Sequence, residues 1–383
     1  MTEINIPFAK PIIENEEKNA ASKVLDGHIL THGPMCRKFE ESFGLFHNNV
    51  DAVTLSNCTS AMFLALKSLG IGQGDEVIVP AMTHIATAHC VSHTGAKPVF
   101  CDIDYKTGNI DPEKIIPKIN KKTKAIIIVH FVGLPADIYP ILDSIKGKNI
   151  ALIEDCAAAL GAIYDDKLVG TFGDAGCFSF YPTKHITTME GGMLISKNKP
   201  FTDSIRKLSS FGYTKNLYER STPGVYDVDM LGYNFRMTEI AAAIGNEQLK
   251  KFKIFLARRK SNAEIIRKEL SDCKEIDVMP SKIGNSVSSN FCVNIILKTG
   301  GDKLRNKLIL KLKDNNLGTS VHYPVCLPKS IYYKDKIDDK NNDFKVAEHF
   351  AANTISLPCG PHIDKNDSYF IAKTLKICLK ELI

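Results

Sequence analysis

The sequence predicts an α/β fold: a large domain whose mostly parallel central sheet is covered by helices, followed by a smaller C-terminal α+β domain. Three observations predict it. Residues 71–104, IGQGDEVIVPAMTHIATAHCVSHTGAKPVFCDID, read as strand, helix, strand. Residues 124–156, KAIIIVHFVGLPADIYPILDSIKGKNIALIEDC, repeat that order. Buried strands alternating with amphipathic helices argue for parallel pairing with both sheet faces covered. Beyond Gly245 a lysine-rich helical stretch, NEQLKKFKIFLARRKSNAEIIRKEL, leads into alternating segments such as NFCVNIIL and a final helix. These readings divide the chain into residues 1–247, the large domain with its N-terminal segment, and 248–383, the connecting helix and small domain.

Taken in order, DAVTLSNCTSAMFLALKSLG, residues 51–70, reads as a strand that turns at Ser56 to Cys58. It then enters a helix with Ala61, Leu64, Ala65 and Ser68 on one side. Thr59 and Ser60 open that helix, where free N–H groups and two hydroxyls suit an anion as well as ordinary capping. The run Ile150 to Ile153 ends in Glu154 and Asp155, and polar groups at the carboxyl ends of buried strands face the ligand crevice of an open α/β sheet. Asp155 reads equally as a carboxylate capping a turn. In CFSFYPTKHITTMEGGMLIS, residues 177–196, Lys184 sits in a short polar bridge between two apolar runs that read as strands. The basic run KINKKTK, residues 118–124, reads as a solvated helix end, and KDKIDDKNND, residues 334–343, is the most loop-like stretch.

An enclosed lysine at a strand end is where an enzyme working through a Schiff base holds its amine. An anion cradle, a buried carboxylate and such a lysine are together the three parts pyridoxal phosphate requires. The carboxylate keeps the pyridine nitrogen protonated, so the ring accepts the electrons of a broken Cα–H bond, while the lysine holds the aldehyde and shuttles the proton.

Five segments, in order, resemble those of the DegT/DnrJ/StrS-type nucleotide-sugar aminotransferases, pyridoxal-phosphate enzymes of the aspartate-aminotransferase-like fold type I. SNCTSAMFLAL is similar to the family's phosphate motif and VIVPAMTHIATAHCV to its ring-stacking motif. EDCAAALGA resembles the aspartate motif, SFYPTKHITTMEGG the lysine motif and GYNFRMTEIAAAIG the dimer-exchange motif. The resemblance implies that Lys184 binds the cofactor aldehyde and Asp155 pairs with the pyridinium. It further implies that Thr59, Ser60 and Ser179 hold the phosphate, that His84 lies against the ring, and that Asn234 reaches into the neighbouring subunit of a homodimer. His185, Glu190, His322 and Tyr323 fall in segments that line the sugar side in such enzymes.

Two positions depart from the family pattern. Cys58 stands where glycine usually precedes the threonine, so the backbone there must stay out of the left-handed region. Ala158 stands where glutamine or histidine is common. Lysine at 184 discriminates within the family, because the branch of sugar dehydratases carries histidine there. The last arginine is Arg305, so the C-terminal stretch offers no guanidinium fork for an amino-acid carboxylate. Arg236 is the candidate anchor for the amino donor, with a salt bridge at the dimer interface as its other reading.

These residues lead to an expected function: amination of a 3- or 4-keto nucleotide-linked deoxysugar, with L-glutamate as donor. The alternatives are a pyridoxal-phosphate nucleotide-sugar dehydratase and a non-catalytic regulator that binds the cofactor or the sugar. Among the 383 residues, 44% are hydrophobic and 24% charged, ordinary for a globular protein, and the net charge of +6 is spread along the chain. That balance argues against a nucleic-acid partner. No signal peptide and no membrane-length apolar run are visible, so the expected location is the cytoplasm. The 11 cysteines lack C-x-x-C spacing and read as buried thiols. His89 and His93, four apart on one helix, lack a third ligand, so no metal is expected.

Overall fold

The computed structural model describes residues 5–31, 33–215, 221–222, 224–336 and 343–383. Two helices, α1 (Asn15–Leu25) and α2 (Pro34–Phe46), precede a run of alternating elements. These are β1 (Asp51–Leu55), α3 (Cys58–Ser68), β2 (Glu76–Pro80), α4 (Ile85–Thr94), β3 (Lys97–Cys101), the short α5 (Pro112–Ile115), β4 (Thr123–Val129), α6 (Ile138–Ile145) and β5 (Ala151–Asp155). A small hairpin, β6 (Ile163–Tyr164) and β7 (Lys167–Leu168), leads to β8 (Ala175–Ser179), β9 (Gly192–Ser196) and α7 (Lys199–Leu208).

The central sheet has seven strands in the order β1-β9-β8-β5-β4-β2-β3. Every neighbouring pair is parallel except the two that β9 makes. The chain between β8 and β9 carries no helix to return it across the sheet, so β9 runs back antiparallel. Alternate residues feed two separate cores. Val53, Leu55, Ile127 and Ile153 face one side with α3 and α4. Ala52, Ile126, Ile128 and Leu152 face the other, where Phe39 of α2 and Ile141 of α6 pack. Both faces are dry, as a parallel sheet requires.

The remaining elements are α8 (Glu239–Leu270), β10 (Ile276–Val278), β11 (Lys282–Ile283), β12 (Ser286–Val287), β13 (Val293–Leu297), α9 (Gly301–Asp314), α10 (Lys345–Asn353), β14 (Thr354–Leu357) and α11 (Lys365–Lys380). β10, β13 and β14 form a three-stranded antiparallel sheet. Ile295, Leu308, Ile355 and Leu375 build its core with Ala263 and Ile266 of α8. Ile6 pairs with Leu317, so the start of the described chain is stitched to this C-terminal core. β11 and β12 instead join the β6–β7 hairpin in a separate four-stranded sheet.

The expected fold class matches this architecture. The connecting helix differs in extent: α8 starts at Glu239, capped by Thr238 Oγ1 accepting the Ala241 N–H at 3.3 Å, and spans the expected 247/248 boundary without a break. The glutamate that opens it also caps another helix. Its carboxylate accepts the N–H groups of Gly33, Met35 and Cys36 at 2.9, 2.7 and 3.1 Å, satisfying donors at the free end of α2. The basic run 118–124 begins at a helix end, as expected, and continues past it into the next strand. Lys118 closes a single 3-10 turn, and Thr123 already belongs to β4. Of the loop-like stretch 334–343, residues 337–342 lie outside the described residues.

Candidate active site

β5 ends in two adjacent carboxylates, and strand geometry sends them to opposite faces. Glu154, fully buried, accepts His130 Nε2–H at 3.1 Å and the N–H groups of Gly170, Phe172 and Gly173 at 2.7, 2.8 and 2.8 Å. His130 Nδ1 accepts the Ala136 N–H at 3.1 Å, which fixes the proton on Nε2. Burial opposes the charged form of Glu154, but these donors outweigh it and hold the carboxyl below its usual range. It ties loops together. Asp155 turns the other way: its Oδ2 accepts from Thr87 Oγ1 at 2.8 Å and its Oδ1 from the Ala157 N–H at 3.0 Å. Thr87 spends its only hydroxyl proton on Asp155, so Thr83 donates to Thr87 across 2.8 Å.

Lys184 lies in the turn between β8 and β9, its N–H bonded to the Tyr181 carbonyl at 2.9 Å. Its Nζ sits 5.0 Å from the ring centroid of Phe291 and, among the described residues, forms no ion pair. Burial lowers its pKa below that of an ordinary lysine, with Asp155 acting in the opposite sense. An amine so placed is easier to deprotonate, as a proton carrier needs.

The candidate anion cradle is assembled by strand register. Leu55 pairs with Gly192 and Gly192 with Ser179, so the turn after β1 lies beside the end of β8. A Cβ on Gly192 would stand 2.3 Å from the Asn57 carbonyl carbon and 2.6 Å from the Cys58 nitrogen, so only glycine admits that turn. Asn57 caps α3, its Oδ1 accepting the Ser60 N–H at 2.8 Å. Ser60 Oγ donates back to the Asn57 carbonyl at 2.7 Å and accepts the Asn57 N–H at 3.3 Å, so this hydroxyl is spent on the turn. Thr59 is half-buried beside it, and Ser179 Oγ accepts the Tyr181 N–H at 3.4 Å. Cys58 is helical and buried, without left-handed backbone, so its side chain points into the core and burial pushes the thiol well up.

His84 caps α4: its Nδ1 accepts the Ala86 N–H at 3.2 Å, leaving the proton on Nε2. Burial lowers its pKa despite Asp155. Its ring meets Tyr323 edge-on at 5.9 Å. His322 Nδ1 donates to Ser356 Oγ at 2.8 Å, because Ser356 gives its own proton to Asn294 Oδ1 at 2.7 Å. Burial, with Lys184 and His84 nearby, drives the His322 pKa down to about 3, so it is neutral at any working pH. Burial likewise raises the Tyr323 phenol.

The other sequence candidates are placed differently. His185 was expected toward the sugar, but it is buried and its Nε2 bonds the Ser289 carbonyl at 3.2 Å. Burial beside Arg259 pushes its pKa well down. Glu190 is exposed in the turn before β9. Arg236 lies 4.9 Å over the Phe211 ring and donates to Ser210 Oγ at 3.4 Å. Asn234 is exposed and bridges Ser210. His89 and His93 share one helix, their rings 6.1 Å apart. Sequence reasoning missed Thr87, Asn57, Gly192 and Phe291. Thr83 and Thr87 were visible as a hydroxyl pair one helical turn apart, whereas nothing marked Phe291, which approaches only through tertiary folding.

The DegT/DnrJ/EryC1/StrS aminotransferase family profile matches residues 11–376. The chain belongs to that family. It is 36% identical over 370 residues to the spore coat polysaccharide biosynthesis protein SpsC of Bacillus subtilis (strain 168), covering 94% of each chain. It is 35% identical over 373 residues to GDP-perosamine synthase of Escherichia coli O157:H7, covering 97% of each. Among solved structures, the PMP-form of the putative sugar aminotransferase Spr1654 from Streptococcus pneumoniae superimposes with a TM-score of 0.93 at 29% identity, over 99% of this chain and 100% of that one. In this member of the DegT/DnrJ/EryC1/StrS aminotransferase family, Lys184 lies near enough to Asp155 and to Cys58 at the start of α3 to feel their charges.

Proposed function

We propose that the chain is a pyridoxal-phosphate aminotransferase that moves an amino group from L-glutamate to a 3- or 4-keto nucleotide-linked deoxysugar. The observation that carries this reading is Lys184: a lysine with a lowered pKa and no ion pair among the described residues, beside a buried aspartate braced by Thr87. Family membership and a relative named for making a GDP-linked sugar support the substrate class.

The residues present fit the cofactor. The α3 N-terminus, Thr59 and Ser179 would hold its phosphate, and Asp155 its pyridine N–H. His84 would pack on its ring. When bound, the cofactor supplies an electron sink for the pair left by a broken Cα–H bond. Lys184 Nζ takes the proton from the donor's Cα, a task its depressed pKa suits, and later returns one to the carbon of the sugar. His322, held neutral and oriented by Ser356, offers Nε2 as an acceptor with no charge to repel the protonated amine. Phe291 and Tyr323 cover the lysine side with apolar surface and limit water there.

The proposed active unit is a homodimer in the cytoplasm. Leu231 is 88% exposed, and Val225, Tyr226 and Val228 beside it are also exposed, an apolar edge on the segment that carries Asn234. No helix among the described residues is long and apolar enough to cross a membrane.

An absorbance spectrum of purified protein tests the reading. A near-visible band that bleaches on adding glutamate and returns on adding a keto nucleotide sugar is the expected result, and Lys184→Ala should lack it while keeping its far-UV circular dichroism. Wild-type turnover by Lys184→Ala would overturn the assignment. The dehydratase alternative predicts a deoxygenated product without a new amine, which mass spectrometry of the product separates.

A further inference from the structure

We infer that the cavity between the N-terminal segment and the middle of α8 binds a monovalent inorganic anion of halide size, held by Arg259. Arg259 is 5% exposed, yet no carboxylate among the described residues pairs with it. Its Nη1 donates to the Phe291 carbonyl at 2.9 Å and its Nη2 to the Lys184 carbonyl at 3.4 Å, while its buried Nε finds no acceptor. Two neutral carbonyls satisfy some of the guanidinium's protons and none of its charge. A buried charge left in that state is expensive, and a counter-ion removes the cost.

The lining of the cavity has one sign. Its titratable groups are Lys10, Lys184, His185, Arg259 and His362, with no aspartate or glutamate among the described residues. His185 and His362 are kept neutral by burial, and each bonds a backbone carbonyl, so the charge there is entirely cationic. Glu17, the buried carboxylate on the adjoining α1, does not line the cavity. It is already taken by Lys251 at 3.0 Å, Gln248 at 2.8 Å and the Glu14 N–H at 2.9 Å. Cys359 sulfur accepts from the Arg259 guanidinium, but burial raises its pKa and its thiol proton goes to the Asn290 carbonyl at 3.2 Å, so it brings no negative charge.

About 20 Å³ of the cavity is open to the centre of a water-sized body, so a small inorganic ion fits beside Arg259. Water would satisfy Nε but leave the charge uncompensated. A chloride ion does both. The anion would thereby fasten Phe8 to Ile12 of the N-terminal segment over the helix, with Lys10 at the rim.

The test uses the intact protein and sodium chloride, bromide or gluconate at constant ionic strength. Bromide-soaked crystals should show an anomalous peak beside Arg259 Nε. Tm should rise with chloride or bromide relative to gluconate, because an ion bound only by the folded state stabilises it in proportion to the logarithm of its concentration above Kd. Lys10→Gln, at the exposed rim, should move that chloride response to higher concentration, and Arg259→Met, if it folds, should abolish it. No anomalous density in the cavity, with the same Tm in chloride and gluconate, would overturn the inference whether or not Arg259→Met folds. None of these readouts depends on catalytic activity, so they stand apart from the test of the proposed reaction.

Discussion

Thr87 donates its hydroxyl proton to Asp155 Oδ2 across 2.8 Å, and by doing so fixes how the strand-end carboxylate faces the cleft. The two residues are far apart in sequence, on α4 and β5, and meet because only β4 separates β5 from β2, the strand that leads into α4. Thr87→Val removes the donor at nearly constant volume. A hydrogen bond to a charged group contributes about 1.5–3 kcal/mol, so the variant should hold pyridoxal phosphate roughly tenfold to a hundredfold more weakly. Equilibrium dialysis measures this, and Thr87→Ser should restore most of the loss. An unchanged Kd for Thr87→Val would remove Thr87 from the site.

Gly192→Ala forces a methyl group against the Asn57–Cys58 peptide. The turn must move away from β9, at an overpacking cost of about 1–3 kcal/mol. Thermal unfolding should show lower Tm, and retention of the cofactor phosphate should fall with it. A variant with both properties intact would show that the turn has room to spare.

His47 links the fold to pH. Its ring is fully buried among Phe43, Phe46 and Phe178, with Nε2 unbonded, and burial drops its pKa to about 4. In the unfolded chain the same ring titrates near about 6.5. The folded-state pKa is therefore depressed: its stabilising effect is complete above about 6.5 and is lost as pH falls toward 4, by on the order of 3 kcal/mol. His47→Phe should flatten the decline of Tm across that interval. If the slope is the same in both proteins, His47 is not buried as a neutral ring.

Leu231→Asp places a charge on the exposed apolar edge near Asn234. For the proposed homodimer, sedimentation velocity should show dissociation at concentrations where the wild type stays paired. Activity should fall with the dimer fraction. A fully dimeric variant would move the interface elsewhere.

The sequence showed what depends on period and on strand ends. β2, α4 and β3, then β4, α6 and β5, lie where alternating apolar runs put them, and Asp155 ends β5 as expected, whereas Lys184 lies in the turn beyond the end of β8. What depended on tertiary contact was hidden. His185 is polar and adjacent to the lysine, yet the carbonyl of Ser289, distant in sequence, draws it inward. Ser60 reads as a phosphate ligand until Asn57, three residues earlier, claims both its N–H and its hydroxyl. The start of α8 was placed too late, because what anchors Glu239 is the distant N-terminus of α2, under which its carboxylate is buried.

At about 1.5 Å per residue, the 32 residues of α8 form a rod about 48 Å long. Glu239 binds α2 at one end, and Asn262 reaches the Gly360 and Ile363 carbonyls and Arg267 the Met279 carbonyl toward the other. Inserting or deleting one residue midway would turn one end by about 100° relative to the other and break one set of these bonds. The length of this stretch is therefore constrained where its sequence is not, and it acts as the ruler that the two cores share.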